Sequence, residues 1–239
     1  MVTLLALCSG LTAVRFALED RLEFAMLAIL LAAILDAVDG RLARALKGTS
    51  RFGAELDSLT DFVNFGVGPA LILYQSSLSA LGNLGWIAAL LFAICCGLRL
   101  ARFNAALDVE LPPFEQNFFS GVPAPAGALI ALLPTYFALL GGRWLTELPL
   151  LVALYIVLVG LLMVSSLKTL SGKRLGARLP AETVLPIMVG VAALIAMLAA
   201  FTWQVLIAAS LIYLAMLPVG AWMHRKAAQQ HAQAQQQGH

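Results

Sequence analysis

Eight apolar segments, most of them long enough to cross a membrane, constrain this chain more than any other feature of its sequence. A helix needs about 20 apolar residues to cross the ~30 Å hydrocarbon core of a bilayer. Short polar stretches separate the segments, and the first segment is the shortest. The predicted spans are 2–18, 22–44, 53–78, 84–104, 123–140, 148–167, 181–200 and 203–223. The sequence therefore predicts an all-α, polytopic membrane helix bundle of about eight transmembrane helices.

The charge content excludes two broad classes of protein. Hydrophobic residues make up 61% of the chain and charged residues only 12%, whereas a soluble domain carries about 25% charged residues. So few charges cannot solvate the surface of a soluble globule, and the apolar content is too high for a disordered chain. The net charge of +2 gives no basic footprint for nucleic acid. An ordinary soluble domain and a nucleic-acid-binding protein are both excluded.

The basic residues predict how the bundle is oriented. When eight spans alternate in direction, 12 of the 15 Lys and Arg residues fall on one side of the membrane. Positively charged loops favour the cytoplasm, so we expect both termini on the cytoplasmic side of a multi-pass inner (cytoplasmic) membrane. The transmembrane domain is expected over residues 1–226, and the Ala- and Gln-rich stretch 227–239 is expected to be a disordered tail.

Four of the 13 acidic residues form two pairs at helical spacing inside predicted spans, where lipid disfavours them. Asp36 and Asp39 are three residues apart near the end of the second span, and Asp57 and Asp61 are four apart near the start of the third. Each pair therefore faces one direction from its helix. The linker between the two spans is short, so the two polar faces are expected to meet at a similar depth.

Four converging carboxylates predict a cation site. A carboxylate at mid-bilayer costs about 2.5–3.5 kcal/mol, and mutual repulsion adds to this. Carboxylates without Cys or His suit Mg²⁺ or Mn²⁺ rather than zinc or copper, and eight oxygens are enough for two ions, the usual arrangement for phosphoryl displacement. A cation or proton transporter is the alternative, but we find no internal repeat to support it.

Small and basic residues accompany the acidic pairs. Gly40 and Ala43 follow the first pair on the same helical face, and Gly53 precedes the second pair by one turn. Glycine inside a helix costs about 1 kcal/mol relative to alanine, so these positions predict that a bulky polar ligand approaches the backbone. Close helix packing is the alternative explanation. Arg41 and Arg44 lie at the predicted membrane surface, where a phosphate would bind.

The run from Asp36 to Asp61 resembles the motif of the CDP-alcohol phosphotransferase family. It reads Asp36-x2-Asp39-Gly40-x2-Ala43-Arg44-x8-Gly53-x3-Asp57-x3-Asp61 and matches that motif without a gap. Members of the family are integral membrane enzymes that displace CMP from a CDP-linked lipid or alcohol, using a hydroxyl nucleophile and a divalent metal. The resemblance implies Mg²⁺ or Mn²⁺ as cofactor, with two ions expected, and a homodimer.

Three further segments resemble the bacterial, membrane-integral phosphatidylserine synthase branch of this family. They are 61–69, 98–104 and 119–126. The resemblance implies CDP-diacylglycerol and L-serine as substrates, with phosphatidylserine and CMP as products. The same chemistry with glycerol 3-phosphate or inositol phosphate as acceptor is the alternative.

The family motif also implies roles for individual residues. Asp61 is the expected general base and shares the expected metal ligation with Asp36, Asp39 and Asp57. The residues expected to bind the CDP-lipid are Asp36, Gly40, Ala43, Arg44 and Gly53.

Polar residues at the cytoplasmic ends of other spans are expected to bind the carboxylate of serine or the phosphates. They are Arg99, Arg102, Asn104 and Lys168. Anchoring of the helices by positive charge is the alternative role for the cations among them. The 121–125 segment interrupts the apolar pattern before the fifth span and is either a re-entry turn or a gating loop.

Overall fold

A computed structural model describes residues 2–45, 51–106, 118–142, 147–165, 168–170 and 181–237 of the protein. Within these ranges it contains ten α-helices. They are α1 (Val2–Leu18), α2 (Leu22–Ala45), α3 (Arg51–Asp61), α4 (Gly68–Ser76), α5 (Asn83–Ala105), α6 (Ala124–Ala131), α7 (Leu133–Leu139), α8 (Pro149–Val164), α9 (Ala181–Ala200) and α10 (Thr202–Gln237). A π-helical segment (Phe62–Val67) joins α3 to α4, and a 3₁₀ turn (Leu78–Leu81) precedes α5.

The predicted all-α class is confirmed, while the count of eight spans and their orientation stay predictions. By length and composition, two helices of the described chain could cross a membrane, Asn83–Ala105 and Thr202–Gly220. Three shorter apolar helices accompany them, Val2–Leu18, Pro149–Val164 and Pro186–Ala200. Large apolar side chains also cover the outer surfaces of several helices, as Leu154, Leu158 and Leu161 do on α8. Extended apolar surface of this kind is typical of a protein that contacts lipid.

The first two helices pack closely because α1 buries only small residues. These are Ala6, Ser9, Gly10, Ala13 and Ala17. Small side chains let helix backbones approach each other, and the Ser9 hydroxyl donates a hydrogen bond to the Ala28 carbonyl of α2 at 2.8 Å. A second pairing, of α5 with α8, surrounds the buried side chains of Phe92, Ile156 and Met163.

The turn between α1 and α2 is fixed by a Schellman motif. The Arg21 amide donates to the Phe16 carbonyl at 2.9 Å and the Asp20 amide donates to the Ala17 carbonyl at 3.1 Å. Asp20 adopts the left-handed backbone conformation, with φ of 59°. The motif satisfies carbonyls that the end of a helix leaves without partners, and it sets the positions of the charged residues of the turn.

Two interruptions of the helical pattern were not predicted. The predicted fifth span is divided into α6 and α7 at Leu132, because Pro134 has no amide hydrogen to continue the first helix. A short antiparallel ribbon also pairs β1 (Phe118–Ser120) with β2 (Lys168–Leu170). Strands of three residues are too short to produce a recognisable alternation in a sequence.

The 121–125 segment packs as a buried turn against the end of α8. Gly121 has φ of 77°, and a Cβ atom there would lie 2.2 Å from the Met163 carbonyl oxygen. The Val122 amide donates to the Leu162 carbonyl at 3.3 Å. The turn therefore requires glycine for both its conformation and its close contact.

The end of α10 differs from the sequence-based expectation. The structure continues helical backbone through Gln237, whereas the sequence predicts disorder over 227–239. Alanine and glutamine are both favourable helix formers, which explains how a low-complexity stretch continues a preceding helix. The division of the chain at residue 226 stays a prediction.

Candidate active site

Three carboxylates from α2 and α3 meet at one point. One oxygen from each of Asp36, Asp57 and Asp61 lies within 4.8 Å of the others. Asp57 and Asp61 are one turn apart on α3, so they share a face, and Asp36 approaches from α2. All three side chains are half-buried. This acidic cluster brings together three of the four predicted metal ligands.

The chemistry of the acidic cluster fits a hard divalent cation. Asp36 and Asp61 each place a carboxylate oxygen within 4.8 Å of the other, and carboxylates this close repel each other unless a proton or a cation lies between them. The Oδ1 atom of Asp61 is buried and has no hydrogen-bond partner among the described residues. Buried carboxylates need compensating charge, and an all-oxygen donor set suits Mg²⁺ or Mn²⁺.

Asp39 is held differently from the other three aspartates. Its Oδ2 atom accepts a hydrogen bond from the hydroxyl of Thr3 on α1, and Asp39 is not part of the group of three found within the described chain. The helical spacing predicts the face on which Asp39 lies, but it carries no information about a partner on another helix. Thr3 is therefore a residue of this region that the sequence did not identify.

Arg99 of α5 is brought to the acidic cluster. Its guanidinium interacts electrostatically with the carboxylate of Asp61 and lies 5.4 Å from the ring centroid of Phe103. The aromatic ring limits the positions that the long side chain can adopt. Arg99 thus supplies a positive charge beside the carboxylates, and its role in binding a ligand stays a prediction.

Arg102 and Asn104 make structural contacts at the end of α5. An Arg102 guanidinium nitrogen donates to the carbonyl of Val164, the last residue of α8, at 3.1 Å, which satisfies one of the carbonyls left free at a helix end. Asn104 donates from its amide nitrogen to the Ser58 hydroxyl at 2.8 Å. Ser58 follows Asp57 in the sequence, so this bond joins α5 to the helix that carries two of the three carboxylates. Ser58 is a second residue that the sequence did not identify.

The predicted CDP-lipid residues lie along α2 and at the start of α3. Gly40 is exposed, and a Cβ atom built on it would meet no atom of the described residues beyond its own helical backbone within 4 Å. Gly53 lies in the first turn of α3. Ala43 and Arg44 belong to the end of α2 and Lys168 to β2, but the side chains of these three lie outside the described part of the chain.

Buried polar groups continue beyond the acidic cluster into the π-helical segment. The Asn64 side chain is fully buried, and a Cβ atom on Gly10 of α1 would lie 1.9 Å from its Oδ1 atom. Neither the Asn64 amide group nor the Thr60 hydroxyl has a hydrogen-bond partner in the ranges that the structure covers. Single π-helical turns within α-helices are frequent at functional sites, but a period of 3.6 residues does not predict them.

Comparison with known proteins connects this geometry to a family. The family model described as "CDP-alcohol phosphatidyltransferase" matches residues 1–155, and the model described as "CDP-alcohol phosphatidyltransferase 2" matches residues 182–218. The first match includes all three residues of the acidic cluster as well as Asp39 and Arg99.

Curated relatives share one name, CDP-diacylglycerol–serine O-phosphatidyltransferase. The chain is 52% identical to the Mycobacterium tuberculosis protein over 146 residues, covering 60% of this chain and 51% of that protein. It is 40% identical to the Methanocaldococcus jannaschii protein over 167 residues, covering 70% of each. Identity to the Bacillus subtilis protein is 37% over 134 residues, covering 56% of this chain and 72% of that protein. The chain thus spans about half the length of the mycobacterial relatives that it matches.

Proposed function

The chain belongs to the CDP-alcohol phosphatidyltransferase family, and we propose that it transfers the phosphatidyl group of CDP-diacylglycerol to the hydroxyl of L-serine, giving phosphatidylserine and CMP. The observation that carries this proposal is the acidic cluster, which unites Asp36, Asp57 and Asp61 within 4.8 Å. The name shared by the curated relatives favours serine as the acceptor.

The acidic cluster is the proposed metal site. Asp36, Asp57 and Asp61 would hold Mg²⁺ or Mn²⁺, and Asp39 would contribute the oxygen that Thr3 leaves free, so that two ions share the four carboxylates. Bound there, the metal would supply positive charge that stabilises the pyrophosphate and the departing CMP. Asp39 keeps its position through the Thr3 hydroxyl, which makes Thr3 a positioning residue in this scheme.

Asp61 is the proposed general base. The Oδ1 atom of Asp61 is buried, has no hydrogen-bond partner among the described residues and is able to accept a proton. As the serine oxygen forms its bond to phosphorus, the hydroxyl proton passes to Asp61 and the bond between phosphorus and the CMP oxygen breaks. A base buried beside the reacting atoms is sheltered from competing water.

Arg99 is the proposed contact for the carboxylate of serine. It is half-buried and lies beside Asp61, so a serine bound to it presents its hydroxyl close to the base. The open space over Gly40 is the proposed site for the nucleotide, with Ala43, Arg44 and Gly53 completing the CDP-lipid site. Arg102, Asn104 and Lys168 are proposed to support the same anionic ligands from the ends of α5 and β2.

A location in the cytoplasmic membrane fits this chemistry. The apolar outer surfaces of the helices would contact the acyl chains, and the positively charged ends would lie on the cytoplasmic side, where CDP and serine are soluble. We also propose a homodimer, and size measurement in a native membrane environment would test this separately.

Release of CMP from CDP-diacylglycerol tests the proposed reaction. Purified full-length chain in nanodiscs should release CMP with serine and Mg²⁺ or Mn²⁺, and should release none when a chelator removes the metal. Glycerol 3-phosphate and inositol phosphate are parallel acceptors. Absence of CMP with every acceptor would refute the enzymatic proposal, and release with a phosphorylated acceptor alone would refute the assignment of serine.

Asp61→Asn tests the base. This variant should retain binding of CDP-diacylglycerol and lose turnover, because the amide oxygen is a poor proton acceptor. Glu55→Gln is the matched control, since Glu55 is an exposed acid on the same helix, outside the acidic cluster, and its turnover should match the wild type. Near-normal turnover in the Asp61 variant would show that another group accepts the proton.

A further inference from the structure

A second polar pocket lies at the opposite end of α2 from the acidic cluster. It encloses about 450 Å³, which is within the range of small-ligand sites. The side chains that matter for its chemistry are Asp20, Arg21, Glu23, Ser76 and Thr135. At a helical rise of 1.5 Å per residue, the start of α2 is about 21 Å from Asp36. The pocket is therefore separate from the proposed active site.

The Arg21 guanidinium is fixed by aromatic rings. It lies 5.0 Å from the ring centroid of Phe16 and 4.4 Å from that of Phe24. The nearby Glu19 is engaged by Arg15 at 2.8 Å and reaches Arg21 only at 3.9 Å. A cation–π contact does not use the N–H groups of the guanidinium as hydrogen-bond donors, so they can still donate to an anion. Arg21 is thus able to donate hydrogen bonds to a phosphate group.

Two carboxylates in the pocket have no cationic partner within the described chain. Neither Asp20 nor Glu23 forms an ion pair there, and the Schellman motif holds Asp20 in place. One cation and two acids give the pocket both signs of charge, with an excess of negative charge. A ligand that complements it carries an anionic group for Arg21 and a cationic group for the carboxylates.

The Thr135 hydroxyl provides an independent sign of a ligand. Thr135 is fully buried, it lines the pocket, and its Oγ1 atom has no hydrogen-bond partner among the residues that the structure describes. A buried hydroxyl without a partner is unfavourable by about 1–3 kcal/mol, so its presence among the residues that line a charged pocket points to a polar group that arrives from outside the chain.

We propose that this pocket binds the headgroup of a zwitterionic aminophospholipid, with the phosphate on Arg21 and the primary ammonium on Asp20, Glu23 and the Thr135 hydroxyl. A lipid is the ligand class because Leu22, Phe24 and Leu139 line the same pocket, and mixed aromatic, apolar and charged surfaces are typical of the membrane interface. An anionic headgroup without an ammonium would meet the two acids unfavourably, and a quaternary ammonium has no N–H to donate. The proposal does not depend on the reaction proposed for the acidic cluster.

Lipid binding to the purified full-length chain tests the proposal. Native mass spectrometry would count bound phosphatidylethanolamine, phosphatidylcholine and phosphatidylglycerol in separate titrations, with soluble O-phosphoethanolamine as competitor. The variants are Arg21→Gln, Glu23→Gln and Thr135→Val. Glu55→Gln and Glu147→Gln are the matched controls, because both residues are exposed charges outside the pocket.

The expected result is selective retention of phosphatidylethanolamine by the wild type and both controls. Each pocket variant should weaken that binding by roughly tenfold, as expected for the loss of one charge-assisted hydrogen bond. Equal retention of the three lipids would overturn the proposal, as would pocket variants that bind like the controls. Thr135→Val separates binding from folding: higher thermal stability with unchanged lipid binding would show that the hydroxyl serves no ligand. Displacement by O-phosphoethanolamine at matched concentration would overturn the assignment to a membrane lipid.

Discussion

Gly40→Ala should make the protein more stable and its binding of CDP-diacylglycerol weaker. Gly40 lies inside α2, where alanine is favoured over glycine by about 0.5–1 kcal/mol. Within the described part of the chain, a Cβ atom at this position meets nothing within 4 Å beyond its own helical backbone, so no clash opposes that gain there. The same methyl group would occupy space proposed for the nucleotide. Overfilling a packed contact costs about 1–3 kcal/mol, which corresponds to roughly 5- to 150-fold weaker binding.

Two measurements on the same variant separate these effects. Thermal unfolding in detergent reports stability, and CMP release at saturating serine gives KM for CDP-diacylglycerol. Gly190→Ala is the matched control, because Gly190 is also an exposed glycine inside a helix, α9, and its Cβ position is equally open. The control should show a similar gain in stability with an unchanged KM.

The changes in KM and in thermal stability each have an outcome that would contradict the proposed nucleotide site. An unchanged KM in Gly40→Ala, with Gly190→Ala behaving as expected, would show that the nucleotide does not approach the backbone at this point of α2. A loss of stability in Gly40→Ala alone would show that the space over Gly40 is occupied by the protein itself.

Other substitutions test the surroundings of the acidic cluster. Gly10→Ala should lower the free energy of unfolding by about 1–3 kcal/mol, because the new Cβ atom would lie 1.9 Å from Asn64 Oδ1. Thermal unfolding measures this loss, and an unchanged stability would mean that the Asn64 side chain can move away. Arg99→Ala should raise KM for serine by roughly tenfold or more, because a charge-assisted contact is lost. Arg102→Ala should raise this KM less, because the Arg102 guanidinium already donates to the Val164 carbonyl. Serine titrations that match the wild type in both arginine variants would contradict a serine site built on these cations.

The acidic cluster could be predicted from the sequence because its spacing is local. Asp57 and Asp61 share a face at any regular helical geometry, and a short linker brings the helix that bears Asp36 alongside. The position of Asp39 could not be predicted in the same way. Its partner, Thr3, is 36 residues earlier in the chain, and only the packing of α1 against α2 creates their hydrogen bond.

The buried position of Asn64 could not be predicted from the sequence, for a different reason. The π-helical segment Phe62–Val67 changes the angular position of each later residue, so a period of 3.6 residues misplaces the face of Asn64. The contact of Asn64 with Gly10 then depends on how closely two backbones approach. Glycine in the sequence permits such an approach but does not specify which side chain fills it.

Charge balance explains why the carboxylates of the acidic cluster need a cation. When ionised, the acidic cluster carries three negative charges, and Arg99 is the cation whose interaction with Asp61 the structure shows. The remaining excess is equivalent to one divalent cation, and no apolar helix surface could provide that compensation. Asp36 and Arg99 lie in the C-terminal halves of α2 and α5, while the apolar faces of the same helices remain suited to lipid. If the proposed reaction is correct, the acidic cluster is the place where the lipid substrate and the soluble acceptor would meet.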